Sequence, residues 1–226
     1  AGTALTALEE HAGAATGVKL APDVRWLLEQ ALEVTRQTQG AWQITDTAPR
    51  KLQELPLVLD RGGETGRLRQ AGAKLKLGPV AVGYALQLVG EKLRMMGRPR
   101  FSLHLGQQWL VAAGTGDAWP VPLGHHGPDA RSVLKLHNAG VGWCAARTPR
   151  EGPDAVVAAL VVRPDPTLAA AVACAVVELG ATRGLRVMRQ WKGTQAVLMM
   201  RDGTLRTSPS LRDRLSVQRP MQTDGN

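Results

Sequence analysis

Apolar side chains recur at helical spacing in three stretches of the chain. After Pro22 and Asp23, the positions Val24, Leu27, Leu28, Ala31 and Leu32 trace one helical face, with proline in the first turn and Gly40 as the closing residue. A second helix is predicted from about Pro79 to Met96, carrying Val80, Tyr84, Leu88 and Leu93 and stopped by Gly97. The third runs from about Pro166 to Leu179, almost entirely Ala and Val, and ends at Gly180. A helix apolar all round has to be buried on most sides. Between these lie short runs with strand character: Leu57–Asp60, Phe101–Leu105, Trp109–Ala113, Val133–His137 and Val156–Arg163. Ala196–Arg201 and Thr204–Thr207 flank Asp202-Gly203, a pair suited to a tight hairpin turn. Strands outside regular β-α-β alternation, with a few buried helices, predict an α+β fold.

Composition narrows the function classes. The 226 residues are 44% hydrophobic and 21% charged, an ordinary globular balance with enough chain for a real core. The longest uninterrupted apolar run, Leu168 to Val177, is far short of the roughly 18 residues a membrane-spanning helix needs. Neither end reads as a signal peptide or a lipidation box. Six Trp against one Tyr and one Phe make a poor stacking platform for single-stranded nucleic acid. Two cysteines, Cys144 and Cys174, exclude a disulfide-dense scaffold and a four-cysteine zinc site. One bridge would form if they met in space, but the burial preference of Cys leads us to expect two free, buried thiols, with Cys174 inert among Ala170, Ala171, Ala173 and Val177.

The net charge of +9 is concentrated. Residues 50–100 hold eleven Lys/Arg, Arg50, Lys51 and Arg61 among them, against Glu54, Asp60, Glu64 and Glu91. Spread over loop and helix, these cations read as a solvated basic surface that would favour an acidic partner. From Ser208 to Asn226 the chain has two prolines, three arginines and little apolar periodicity, and is expected to form an extended tail after a domain spanning 1–207.

Searching for chemistry yields little from spacing alone. His104, His125, His126 and His137 lack the spacing of a metal site; the adjacent His125-His126 pair falls in a Gly/Pro loop and its side chains diverge. Ser102 and His104 share a strand face, yet no third group completes a nucleophile constellation. Gly114-Thr115-Gly116 lacks the third glycine of a dinucleotide loop and reads as a turn.

An ordered series of segments carries more. VKLAPDVRWLLEQALEVTRQTQGAWQIT (Val18–Thr45), KLGPVAVGYALQ (Lys76–Gln87), HLGQQ (His104–Gln108), WPVPL (Trp119–Leu123), TPREG (Thr148–Gly152) and LVVRPDPTLAAAVACAVVELG (Leu160–Gly180), then QAVLMMRDG, follow one another at defined spacing. In order and spacing this resembles the FAD:protein FMN transferase (ApbE) family over about residues 3–207. The family's opening strand and helix would precede Thr3–Glu10. The resemblance implies a T-fold-like α+β scaffold with antiparallel sheets and buried helices. It also implies transfer of FMN from FAD to a Thr hydroxyl of a target protein, with a divalent metal on the pyrophosphate.

Set against the family motifs, the polar positions depart. The leading Asp of DLGGIAKGYAxD falls on Lys76, its second Gly on Pro79, its Lys on Val82 and its last Asp on Gln87. NLGGD becomes His104-Leu105-Gly106-Gln107-Gln108. The His and Asp of HIIDPRTG fall on Ala145 and Thr148, while Pro149, Arg150 and Gly152 match. On the late helix the metal-ligating Asp falls on Ala170 and the Thr on Cys174. Hard oxygen donors are what a Mg²⁺ site needs, and these two positions supply none. The matched residues are conformational: Gly78, Gly83, Tyr84, Ala85, Gly106 and Gly180.

The expectation is therefore a non-catalytic chain on a flavin-transferase scaffold, acting as a structural or binding subunit. No catalytic or metal-binding residue is expected. A degenerate flavin pocket would lie near Gly78, Gly83, Tyr84, Gly106 and Arg150, with no cofactor expected and FAD as the weaker alternative. The partner would be a protein with an acidic face contacting residues 50–100 and 208–226, rather than nucleic acid. An active Mg²⁺-dependent transferase rebuilt on Asp117, Asp129 or Asp165 is the main alternative, and a basic nucleic-acid-binding module the next. A periplasmic or envelope location is implied by the resemblance alone.

Overall fold

The glycine-rich segment after His137 determines how the layers stack. In the computed structural model, which describes residues 3–47, 55–60, 62, 64–125, 131–148 and 150–218, this segment is a strand, Asn138–Ala145. It sits inside a six-stranded sheet in which every neighbouring pair is antiparallel.

In chain order the elements are α1 (Ala4–Glu10), β1 (Val18–Lys19), α2 (Pro22–Gln37), β2 (Leu57–Leu59), β3 (Thr65–Leu68), α3 (Gly78–Met95), β4 (Phe101–Leu105), β5 (Gln108–Ala112), β6 (Trp119–His125), β7 (Arg131–Leu136), β8 (Asn138–Ala145), β9 (Val156–Arg163), α4 (Ala169–Met188), β10 (Gln195–Met200), β11 (Leu205–Thr207), a 3₁₀ turn (Pro209–Arg214) and β12 (Leu215–Gln218). The main sheet runs β11-β10-β9-β8-β5-β4; two three-stranded sheets, β1-β3-β2 and β12-β7-β6, flank it. The α+β expectation holds, and among the described residues no helix is long and apolar enough to cross a membrane.

Period-two alternation sends the side chains of the central strands into two different cores. On β9, Ala159 and Val161 face the helices α2 and α4, while Leu160 and Val162 face the β12-β7-β6 sheet. On β10, Ala196 and Leu198 go one way and Val197 the other. Strands buried on both faces explain why Val156–Arg163 is a continuous apolar run rather than an alternating one.

On β8, Ala139 and Val141 face the second sheet. Gly140 and Gly142 face α4, where a Cβ on Gly142 would strike the backbone of Ala169 and Ala170, and one on Gly140 the backbone of Asp165 and Pro166. Missing side chains on one strand face thus let the start of α4 lie directly on the sheet. Gly83 does the same for α3, whose backbone there abuts Pro166 and Thr167. The Thr167 hydroxyl donates to Gln87 Oε1 at 2.8 Å, and Gln108 Nε2 donates to the Pro79 carbonyl at 2.7 Å, which tie α3 to its neighbours.

Two expectations need correction. Gly180 interrupts the third helix but does not end it: at φ 79° and ψ 173° it is non-helical, and the helix resumes and runs to Met188. Asp154, from the loop before β9, restarts it. Its carbonyl accepts from Ala181 N at 3.0 Å, and its carboxylate accepts from Thr182 N and Oγ1 at 3.0 and 2.8 Å, doing the work of an N-cap. The second concerns the extended tail. Pro209–Gln218 folds back as the 3₁₀ turn and β12, which pairs antiparallel with β7 at Leu215↔Leu134 and Val217↔Ser132. One apolar anchor suffices where periodicity is lacking: Leu211 is fully buried with Val121, Leu134 and Val197. Residues 219–226 lie outside the described residues.

Two stability measurements follow. Gly142→Ala is expected to cost about 1–3 kcal/mol through overpacking against α4, seen as a lower urea midpoint; an unchanged midpoint would mean that α4 does not rest on that glycine. Leu211→Ala is expected to cost about 2–5 kcal/mol by the same measurement if residues 209–218 are part of the folded unit.

Candidate functional site

A cleft of about 510 Å³ opens where β8 ends, α3 begins and α4 passes beneath, a size suited to a small-molecule ligand. Its floor is Cys144, Cys174 and Val177, and its walls include Trp42, Asp46, Lys76, Gly78, Arg147 and Glu178. Lys76 arrives there because the chain around residue 45 forms a short antiparallel bridge with the chain around residue 75. Lys76 N donates to the Ile44 carbonyl at 2.7 Å, and Asp46 N to the Lys74 carbonyl at 3.0 Å. Glu9, from α1, secures the second strand of that bridge by accepting from Leu75 N at 2.8 Å.

Across the cleft from the helix floor lies the first turn of α3. Its N-cap residue, Leu77, makes no side-chain capping bond, and nothing within 4 Å would meet a Cβ on Gly78. Glu178 pairs with Arg150 at 3.8 Å, both largely in solvent, so that pair contributes little.

The cysteines overturn the free-thiol expectation. Cys144 and Cys174 are joined in a disulfide, with their Cα atoms 5.0 Å apart, and neither is a free thiol. The reason is the strand register. Gly140, Gly142 and Cys144 stand on one face of β8 at two-residue steps, opposite Pro166, Ala170 and Cys174 at one-turn steps along the segment that becomes α4. The glycines bring strand and helix together, and the cysteine at the end of the row meets its partner. Apolar neighbours of Cys174 along its own helix, on which the expectation rested, say nothing about the strand that faces it.

The residues singled out in the sequence are only partly brought together. Gly78 and Lys76 line the cleft, and Arg150 borders it through Glu178. Gly83 is spent on helix packing, Tyr84 lies beside Trp26 with ring centroids 5.5 Å apart, and Gly106 forms the β4–β5 turn at φ 59°. Asp165 is occupied by Arg163 at 3.5 Å and by Thr167 N at 3.2 Å, and Asp117 is an exposed loop residue whose carbonyl accepts from Arg100. His104 stacks on Trp109 at 4.6 Å, while Ser102 is exposed. His126, Asp129 and Pro149, and the basic Arg50, Lys51 and Arg61, lie outside the described residues. Asp46, Arg147 and Glu178 were not read as site residues: the 45–75 bridge that delivers Asp46 has no local periodic signal.

Arg163, at the end of β9, is 8% exposed and packs over Trp191, donating to Thr194 Oγ1 at 2.9 Å. Burial lowers its pKa below the usual arginine value, opposed by Asp165. At the β10–β11 turn, hydrogen bonds from Thr204 Oγ1 and N hold the Asp202 carboxyl below its ordinary value. Both groups serve local structure away from the cleft.

No family model matches the sequence, and no curated protein matches it in sequence. The fold does match. Flavin transferase ApbE from Vibrio cholerae superposes with a TM-score of 0.75 at 13% identity, covering 93% of this chain and 82% of the other. This chain has the ApbE fold. An ApbE protein from Thermotoga maritima gives 0.75 at 14% identity over the same shares, and Pseudomonas stutzeri flavinyl transferase ApbE gives 0.69 at 16%, covering 90% and 77%.

The residues at the cleft do not fit the divalent metal that the resemblance implies. Ala170 has no side-chain donor and is 4% exposed, and the sulfur of Cys174 is bonded to Cys144. Asp46 and Glu178 bring carboxylates, but among the described residues no group of three or more His, Cys, Asp or Glu could hold a metal ion.

Intact protein is expected to give no alkylation by iodoacetamide under native conditions and two alkylated cysteines after reduction, read by mass spectrometry. Cys144→Ser should then lower stability by about 2–4 kcal/mol in a urea titration, because the bridge closes a loop through the centre of the fold.

Proposed function

We propose that this protein is a non-catalytic relative of the flavin transferases, using their scaffold as a binding or structural subunit. The observation that carries this reading is the Cys144–Cys174 disulfide at the position where the resemblance puts a metal-ligating hydroxyl. A hard divalent cation needs oxygen ligands, and a disulfide sulfur is neither charged nor hard. Lys76, where the resemblance puts a carboxylate, adds a positive charge to the same cleft. Both replacements act against a cation, and no step of transfer chemistry is assigned to this chain.

The reading assigns no resident cofactor. It places the protein in an oxidising compartment such as the periplasm, where a disulfide persists. Its partner is a protein with an acidic face, met by the basic surface of residues 50–100. Among the described cations of that stretch, Lys92, Arg94, Arg98 and Arg100 are all exposed, with Arg94 over Phe101 and Arg100 over Trp119. Dispersal over several elements, rather than one basic stripe, favours a protein contact over a nucleic-acid track.

The competing reading is an active transferase that draws its oxygens from Asp46 and Glu178. Incubating the protein with FAD, Mg²⁺ and a Thr-containing acceptor protein, followed by in-gel flavin fluorescence, decides between them. The expected result is no acceptor fluorescence above a control without the protein, and a colourless preparation with no absorbance near 450 nm. Fluorescence of the acceptor that disappears in Asp46→Asn or Glu178→Gln would overturn the non-catalytic reading.

A further inference from the structure

Helix α3 is apolar on both sides. Its inner side, Val80, Gly83, Leu86 and Gly90, is buried against the main sheet and the start of α4. The opposite side is open: Leu88 is 47% exposed, Val89 49%, Met95 81% and Met96 64%. Large apolar side chains grouped this way on one helix face mark an interaction surface rather than scattered exposure. Helix α2 reaches α3 at its N-terminal half, where Trp26 meets Tyr84 with ring centroids 5.5 Å apart, and the stretch from Leu88 onward is the exposed part.

Residues 81, 85, 88, 92 and 95 follow a 4-3-4-3 spacing, the seam by which one helix packs along another. The seam reads Ala81, Ala85, Leu88, Lys92, Met95: small at one end, large at the other, with a single charge. Glu91 stands beside that charge, held by Gln87 Nε2 at 3.1 Å. Two neighbouring cations, both exposed, are held locally: Arg94 lies over the Phe101 ring, and Arg100 donates to the carbonyls of Ala113 and Asp117. The middle of the seam thus carries one adjacent Glu91–Lys92 pair, while Arg94, Arg98 and Arg100 lie exposed toward its C-terminal end.

We propose that the outer face of α3 docks against the same face of a second copy of this chain, the two helices running antiparallel about a two-fold axis that crosses the outer face midway between Leu88 and Lys92. Antiparallel pairing sets Met95 over the partner copy's small Ala85, and the Lys92 stem over its Leu88. Each Lys92 ammonium then lies near the Glu91 carboxylate of the other copy. A two-fold interface must be self-complementary, and this seam supplies both requirements from one sequence: small against large, and cation beside anion. An acidic partner would leave Glu91 facing like charge, and an anionic bilayer would do the same. The lysine in the seam fixes the register, as a single polar residue does in paired helices. This inference goes beyond the subunit reading and does not rest on it, since an active transferase could pair in the same way.

Light scattering coupled to size exclusion tests it on the full chain at tens of micromolar. The expected mass is twice the 24.1 kDa of one chain. Leu88→Glu with Met95→Glu should give a monomer with an unchanged far-UV circular dichroism spectrum, since both side chains face outward. The charge pair supplies a test that does not depend on that variant. Lys92→Glu alone should weaken the dimer at least tenfold, and adding Glu91→Lys should restore it, because the swap recreates the same complementarity. A wild-type monomer at that concentration would overturn the proposal. So would a dimer indifferent to the α3 substitutions, or a monomer that instead binds vesicles of phosphatidylcholine and phosphatidylglycerol through Met95 and Met96. The transferase assay is unaffected by any of these results, so failure here and failure of the subunit reading remain distinguishable.

Discussion

The architecture depends on how closely α4 approaches β8. Two glycines, Gly140 and Gly142, leave one face of the strand bare, and the backbone at Pro166 and Ala170 fills the space. A side chain at either position would lift the helix off the sheet. Close contact recovers dispersion along the whole length of the alanine-rich helix, whose small side chains could not reach a more distant surface. It also sets the position of everything attached to that helix: the Thr167 hydroxyl that meets Gln87 on α3, the kink at Gly180 received by Asp154, and Cys174.

The candidate site inherits its character from that approach. Gly140, Gly142 and Cys144 form a row on one strand face, so the first residue with a side chain meets the helix at the cleft floor. The disulfide there is a consequence of backbone proximity joined to two cysteines at matching positions. The same floor is where the motif resemblance puts the oxygen donors of a metal. Lys76, delivered by the 45–75 bridge, adds positive charge to the same cleft. A disulfide and a lysine at one cleft are what support the proposal that the protein acts through its surfaces.

Those surfaces are unequal. Most basic residues of the 50–100 stretch lie on different elements, and two of the cations close to α3 are engaged with aromatic rings. The outer face of α3 is the coherent feature: apolar residues at helix-packing spacing around one adjacent Glu-Lys pair. Burying Leu211 with the second core removes residues 208–218 from the role of a free contacting tail and makes them part of the fold that presents α3.

Several elements were legible in the sequence because their signals are local. Phe101–Leu105 and Val156–Arg163 appear at the predicted limits, Pro22 opens α2, and Asp202-Gly203 lies in the β10–β11 hairpin loop, with Gly203 but not Asp202 at positive φ. The ordered motifs led to the ApbE fold even though no polar motif is intact, since glycine positions and apolar runs encode packing rather than chemistry. β8 was not legible as a strand: half its residues are glycine or small, and strand propensity reports side chains that this strand dispenses with. β12 was missed for a related reason, because its place depends on pairing with β7 and on one buried leucine. The disulfide, the cleft walls at Asp46, Arg147 and Glu178, and the exposure of α3's second apolar face belong to tertiary structure alone. Each depends on which elements become neighbours across tens of residues, and periodicity along a chain carries no information about that distance. Sequence by itself determined the elements and the scaffold, and three-dimensional packing decided that two cysteines 30 residues apart are partners.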